Sequence, residues 1–331
     1  MSNNEIDAFR PAAGLGNRHL QTMIPVLSGR SLAVHYTRQE LTLEDGDFVD
    51  LDWTAMPDRA SRLPIVVLFH GLGGDSQSHY TKSLMQAVAS AGWVGVVMNF
   101  RGCSGRRNKA PRLYHSGETG DAGFFIDWLR QQFPLAPLFA AGFSLGGNML
   151  LKLAGEQKNT LALSALVSVS APVKLDESTR HMMKGLPRIY QAYLLKALKR
   201  KFLQKFPDHD YKSLIDVERQ DILKCKDIRE FDHLITARLH GFTGAEDYYQ
   251  QSSAYPYIEQ IEKPCLILHA NDDPIAPSFI LPDSHVLPQQ VTLEVTEKGG
   301  HVGFLGGTIA RPHYWLADRI MHYFSQQQRQ G

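Results

Sequence analysis

The segment Gly142-Phe143-Ser144-Leu145-Gly146, continued by Gly147-Asn148, carries the strongest chemical signal in the chain. A serine with glycine two residues to either side suits a sharp strand-to-helix turn, where its hydroxyl stands exposed and neighbouring backbones approach closely. The helix that follows would turn its positive N-terminal end toward negative charge developing at the serine. A serine hydroxyl is a poor nucleophile at neutral pH and needs a base within hydrogen-bond reach. His301, in Gly299-Gly300-His301-Val302-Gly303, is the candidate. It would act as general base toward Ser144 and then as general acid toward a leaving alkoxide. The imidazole in turn needs an anion to hold its tautomer. Asp272-Asp273-Pro274 offers one; Asp273 is the choice, and its neighbour Asp272 stays open as the alternative. His79, His115 and His181 stand in less telling contexts.

Acyl transfer also needs donors for a tetrahedral oxyanion. One would be the backbone N–H of Leu145, directly after the nucleophile. The second would come from the glycine-rich loop His70-Gly71-Leu72-Gly73-Gly74, with Leu72 the expected donor and Gly71 the lesser candidate. Arg101, in Asn99-Phe100-Arg101-Gly102-Cys103-Ser104-Gly105, reads as a brace for its loop more than as a binder of substrate anions, and Cys103 as a small packing residue.

These groups must be delivered by a scaffold. The runs 64–69, 93–99, 137–143, 162–169, 264–270 and 291–297 are short and apolar, the pattern of strands in a covered parallel sheet. Helical periods fall between them at 77–91, 117–132, 144–156 and 312–325, and alternating strand and helix predicts a sheet flanked by helices. Residues 36–44 and 48–54 alternate around Asp45-Gly46 and predict an antiparallel hairpin. The first thirty residues, rich in Gly and Pro, read as loop. Ser144, His301 and the aspartate each follow a strand, and the chain order Ser…Asp…His is that of the α/β-hydrolase fold. The expected architecture is therefore α/β, a mostly parallel sheet of about eight strands with a helical cap inserted in it. The core would take residues 1–171 and 256–331, and the cap 172–255. Within the cap, Ile189, Tyr193, Leu194, Leu198, Phe202 and Phe206 predict an amphipathic helix.

Composition narrows the partners. In 331 residues, 35 Lys+Arg against 34 Asp+Glu leave a net charge of +1, which excludes a dedicated nucleic-acid binder. The exception is local: nine Lys/Arg against two acids over 180–212. A solvated outer face accounts for such a run; the sharper reading is weak attraction of the cap to an anionic membrane surface. The cysteines Cys103, Cys225 and Cys265 form no metal-ligand spacing and suit a reducing compartment. With no signal-peptide pattern at the start and no apolar run long enough to span a bilayer, the expected location is the cytoplasm.

The motifs HGLGGDS (70–76), NFRGCSG (99–105), YHSGETGDA (114–122), GFSLGGNML (142–150), HANDDP (269–274) and GGHVGFLGG (299–307) together resemble the YheT-like hydrolases, in the type 4 family of the α/β-hydrolase superfamily. HLQT (19–22), DGDFVDL (45–51) and EFDHLITARLHGF (230–242) are similar to that family as well. The resemblance spans nearly the whole chain. It implies a serine hydrolase of carboxylic esters with Ser144, Asp273 and His301 as the charge relay, among relatives that include esterases and acylglycerol lipases. The expected substrate is a small ester, a short acyl ester or a monoacylglycerol, and the chemistry calls for no metal or organic cofactor. The rival readings are an acyltransferase using the same nucleophile and a catalytically idle hydrolase fold serving as a binding scaffold.

Overall fold

The computed structural model describes residues 8–28, 32–308 and 310–330. Eight strands form one sheet: β1 (Thr37–Thr42), β2 (Phe48–Trp53), β3 (Ile65–Phe69), β4 (Val94–Asn99), β5 (Leu138–Phe143), β6 (Ala165–Val169), β7 (Cys265–Ala270) and β8 (Val291–Thr296). Their spatial order is β1-β2-β4-β3-β5-β6-β7-β8. The hairpin β1–β2 joins β4 antiparallel, and every pairing from β4 to β8 is parallel. The fold is thus the expected α/β-hydrolase architecture with a mostly parallel sheet of eight strands.

The apolar runs explain the layering. Side chains alternate across a strand, so a strand covered on both faces must be apolar throughout. In β3, Ile65, Val67 and Phe69 enter one core, with Phe125 and Leu129 of α3 (Thr119–Gln132) and Leu150 of α4 (Leu145–Gln157). Val66 and Leu68 enter the other, with Leu84 and Val88 of α2 (His79–Ser90) and Phe324 of the helix Trp315–Gln330. Each such side chain contributes about 1.5–3 kcal/mol by leaving water.

One helix contradicts the loop reading of the first thirty residues. Helix α1 (Arg18–Ser28) is capped by Asn17, whose Oδ1 accepts from the His19 N–H at 2.8 Å. Pro25 inside it argues against a helix on propensity. The segment is held from outside instead: the buried Gln21 amide donates to the carbonyls of Leu15 and Leu305 and accepts from the Leu305 N–H.

Between β6 and β7 the chain is helical from Leu175 to Ile258, starting with α5 (Leu175–Met182) and α6 (Arg188–Leu203). Asn148 on α4 pins this segment to the core. Its amide donates to the carbonyls of Ser116 and Ser252, and its oxygen accepts from the Ala254 N–H. The inward face of α6 is Gln191, Leu195 and Phe202, with Leu194 and Leu198 partly buried. Ile189 and Tyr193, expected on that face, are instead 63% and 72% exposed. At 3.6 residues per turn Ile189 and Leu194 stand about 140° apart, so the apolar positions mark two faces of one helix.

Arg101 is a buried brace. Its guanidinium donates to both oxygens of Asp121 at 2.6 and 2.7 Å, and to Asp45 and Asp47 at 2.7 and 2.9 Å. It thereby ties the loop after β4 to the β1–β2 turn and to the start of α3. Cys103 is buried as expected, accepting a bond from Lys201 Nζ at 3.0 Å.

Candidate active site

Strand register brings four loops to one edge of the sheet. Phe69 of β3 is level with Gly142 of β5, so the loop after β3 runs beside the turn that carries Ser144. β7 and β8 end together at Ala270 and Thr296, so the loops bearing Asp273 and His301 leave from the same carboxyl edge. Ligand chemistry in open α/β sheets belongs at that edge.

Ser144 occupies the turn from β5 into α4 at φ +52°, ψ −117°, a conformation that costs a non-glycine residue about 1–3 kcal/mol. Two glycines make the turn feasible. A Cβ on Gly142 would lie 2.4 Å from the Gly146 carbonyl oxygen, and one on Gly146 would lie 2.4 Å from the Phe69 oxygen. Only hydrogen at both positions lets β5, α4 and the end of β3 meet.

The Ser144 hydroxyl lies 2.9 Å from Nε2 of His301, and Nδ1 of His301 lies 2.8 Å from Oδ2 of Asp273. An ionised carboxylate can only accept, so Nδ1 carries the proton and Nε2 is left to accept from the serine. The other Asp273 oxygen accepts from the N–H groups of Ile275 and Ala276, which fixes the carboxylate in a fully buried position. Asp272 does a different job: its Oδ1 accepts from the Gly300 N–H at 3.0 Å. The His301 loop is held on two further sides. Thr22 on α1 accepts from the His301 N–H at 3.0 Å, and His79 donates from Nε2 to the Val302 carbonyl at 3.3 Å. Burial pulls His79 down to about 4, so at neutral pH it is an uncharged strut.

The candidate oxyanion donors are distinguished by which N–H groups are already engaged. In the loop after β3, Gly71 donates to the Tyr80 hydroxyl at 2.9 Å and Gly73 to the Tyr114 hydroxyl at 2.7 Å. Leu72, between them, has no acceptor among the described residues, and neither has Leu145 at the first position of α4. Leu72, Ser144 and Leu145 line the same cavity. Beneath the loop, His70 is fully buried and accepts from the Phe100 N–H through Nε2 while Nδ1 donates to the Gly71 carbonyl. Tyr80 and Tyr114 are therefore positioning residues that turn one N–H outward by occupying its neighbours. Tyr80→Phe is expected to lower kcat about tenfold with KM little changed, because the stranded Gly71 N–H loosens the loop. Steady-state kinetics on a soluble ester decides it; a rise in KM at constant kcat would count against the assignment.

The cavity runs under α5 and α6. Met182, Leu194, Leu198, Ile228 and Ile275 make its apolar wall. A polar wall holds Asp232, Tyr248 and Tyr249. Asp232 begins a π-helical turn, Asp232–Thr236, and accepts from Thr236 and Tyr249 at 2.7 and 2.8 Å. Burial raises its carboxyl to about 6. His115 lines the cavity too, where burial pulls it down to about 3. His115, Glu118 and His240 place ligand atoms within 4.8 Å of one another, a spacing that suits a metal ion. Their present partners oppose one: Arg112 pairs with Glu118 at 2.6 Å, and the Gly117 N–H donates to Nδ1 of His115. His181, half-buried on α5, lies against the Phe279 ring and outside the serine's hydrogen bonds.

Thr22, Tyr80, Tyr114 and Asp232 escaped the sequence reading. Thr22 lies in a stretch read as loop, and the tyrosines act through hydroxyls on backbone groups that only the fold brings near. For Asp232 the resembling segment 230–242 marked the place without a role.

Comparison with known proteins bears on the fold and the family. The model of the alpha/beta hydrolase fold family matches residues 64–308. The chain is 47% identical over 312 residues to the "Putative esterase YheT" of Escherichia coli, covering 94% of this chain and 91% of that one. It is 31% identical over 269 residues to the monoacylglycerol lipase of Saccharomyces cerevisiae, covering 78% and 58%. Among solved structures, the Pyrococcus furiosus esterase Pf2001 superimposes with a TM-score of 0.56 at 16% identity, over 89% of this chain and 94% of that one. No helix among the described residues is long and apolar enough to cross a membrane. The sheet order, the strand ends that carry Ser144, Asp273 and His301, and a match running through nearly all of both chains lead to one assignment: the protein belongs to the alpha/beta hydrolase family, among its YheT-like members.

Proposed function

We propose that this ester hydrolase cleaves carboxylic esters through an acyl-enzyme on Ser144. The observation that carries the reading is the unbroken hydrogen-bonded line Ser144–His301–Asp273 beside two N–H donors that have no acceptor among the described residues. His301 takes the serine proton as the oxygen attacks the ester carbonyl. The N–H groups of Leu72 and Leu145 hold the oxyanion, a contribution of about 2.7–4 kcal/mol for each donor. The imidazolium, steadied by Asp273, protonates the departing alkoxide. A water then gives its proton to His301 and its oxygen to the acyl carbon, releasing the acid and free Ser144.

Substrate choice rests with the cavity. Its apolar wall suits an acyl chain, and the hydroxyls of Ser116, Ser178, Tyr248 and Tyr249 suit a polar substituent near the ester. Short acyl esters and monoacylglycerols combine the two, and one relative bears the name monoacylglycerol lipase. A panel of p-nitrophenyl esters of rising chain length, run beside monoacylglycerols, tests this together with labelling by a fluorophosphonate. The expected result is turnover of short esters and labelling that vanishes in Ser144→Ala. A folded wild type that neither labels nor turns over any ester would contradict it.

A further inference from the structure

Two helices that touch the site on one side carry apolar stripes on the other. On α1, Thr22 accepts from the His301 N–H, while Leu20, Met23 and Val26, three residues apart, face outward at 41%, 54% and 49% exposure. On α6, Leu194 and Leu198 line the cavity that holds Ser144, while Ile189 and Tyr193 stand exposed, with Leu186 just before the helix. The helices meet where the His19 Nδ1 lies 2.9 Å from the Tyr190 hydroxyl and the two rings stack. An isolated exposed leucine needs no explanation, but two exposed apolar stripes on helices that meet do.

The charges around that face separate its occupants. Of the nine basic residues in 180–212, five are committed elsewhere. Lys199 and Lys205 donate to backbone carbonyls, Lys201 to Cys103, and Arg180 and Lys212 pair with acids. Lys184, Arg188, Lys196 and Arg200 are exposed and have no acidic partner among the described residues. At 3.6 residues per turn, Lys196 and Arg200 fall on the same outward side of α6 as Ile189 and Tyr193. Neither α1 nor α6 contains an acid. A second copy of the chain laid on this face would set these cations against themselves. An anionic bilayer supplies both what the stripe needs and what the cations need.

We propose that the outer faces of α1 and α6 dock on the surface of an anionic lipid bilayer, with the apolar stripes dipping into the headgroup boundary and the free cations on lipid phosphates. The helix that presents Thr22 to the His301 loop and the helix over the cavity then both lie against the lipid. This goes beyond the esterase reading and does not depend on it.

The test is co-sedimentation of the full chain with vesicles of phosphatidylcholine alone or mixed with phosphatidylglycerol, at low and high salt. The wild type is expected to sediment with the anionic vesicles and to be released by salt. Ile189→Glu with Tyr193→Glu should lower the partition coefficient about tenfold or more, and so should Lys196→Glu with Arg200→Glu. Leu135→Glu, at an equally exposed leucine near the opposite sheet edge, should bind as the wild type does. Circular dichroism and hydrolysis of a soluble ester, both unchanged in the variants, show that the fold and site are intact. The proposal is overturned if the wild type stays in the supernatant, or if both double variants sediment as it does. A dimer in sedimentation velocity that the same variants dissociate would overturn it too, by giving the face to a second copy.

Discussion

Replacing Ser144 by alanine is expected to lower kcat for a soluble ester by roughly 10⁴- to 10⁶-fold while leaving the melting temperature where it was. The loss is large because Oγ of Ser144 lies 2.9 Å from Nε2 of His301, and in the proposed mechanism no acyl-enzyme forms without it. The melting temperature holds because alanine keeps the Cβ and the φ of +52° that the turn demands. His301→Ala should cost about as much, and the double variant little more, since nucleophile and base act as one unit. The rate that survives measures what Leu72, Leu145 and the cavity do by themselves. A fall of less than tenfold in Ser144→Ala would remove the serine from the mechanism.

The largest expected effect on stability lies away from the serine. Arg101→Met should destabilise the fold by about 3–5 kcal/mol, read as a lower urea midpoint. Removing the guanidinium strands the carboxylate of Asp121, whose two oxygens it holds, and takes one donor each from Asp45 and the buried Asp47; methionine offers none of the four hydrogen bonds. Arg101→Lys should recover only part of the loss, because an ammonium cannot form the two-pronged bond to Asp121. The pH dependence should change as well. Burial alone would raise the Asp45 carboxyl, but the bond from Arg101, the Asp47 N–H and Arg112 overcome it and hold Asp45 down at about 2. A depressed carboxyl adds stability above its unfolded pKa, about 3.8, and the gain is lost as pH falls through about 2. Arg101→Met should therefore lose the part of the acid-induced weakening between those values that Arg101 imposes through Asp45. A variant that melts within about 1 kcal/mol of the wild type at pH 7 would show that the brace carries little.

The parts legible in the sequence are those in which local chemistry and local geometry coincide. Gly142 and Gly146 flank Ser144 because a Cβ at either would strike backbone, so a five-residue pattern records a three-dimensional constraint. The two-faced apolar runs at 65–69 and 138–143 mark strands because both sheet faces are covered. What stayed hidden depends on long-range contacts. Thr22 meets a residue 279 positions away, and the helix that presents it contains a proline that local propensity counts as a breaker. The outward turn of Ile189 and Tyr193 was equally hidden, because an apolar residue aimed at solvent looks like core until the facing surface is known. The choice between Asp272 and Asp273 belongs here as well: adjacent carboxylates differ only in what the fold sets before them, Gly300 for one and His301 for the other.

The claim on which the rest depends is that the acyl group passes through Ser144. Acid-quenching the enzyme within its first turnovers of a p-nitrophenyl ester, then digesting it and weighing the peptides, tests this directly. One acyl adduct is expected, on the peptide containing Ser144, decaying as the free acid appears. An ester consumed at the full rate with no acylated peptide, or with the acyl group on another residue, would contradict it.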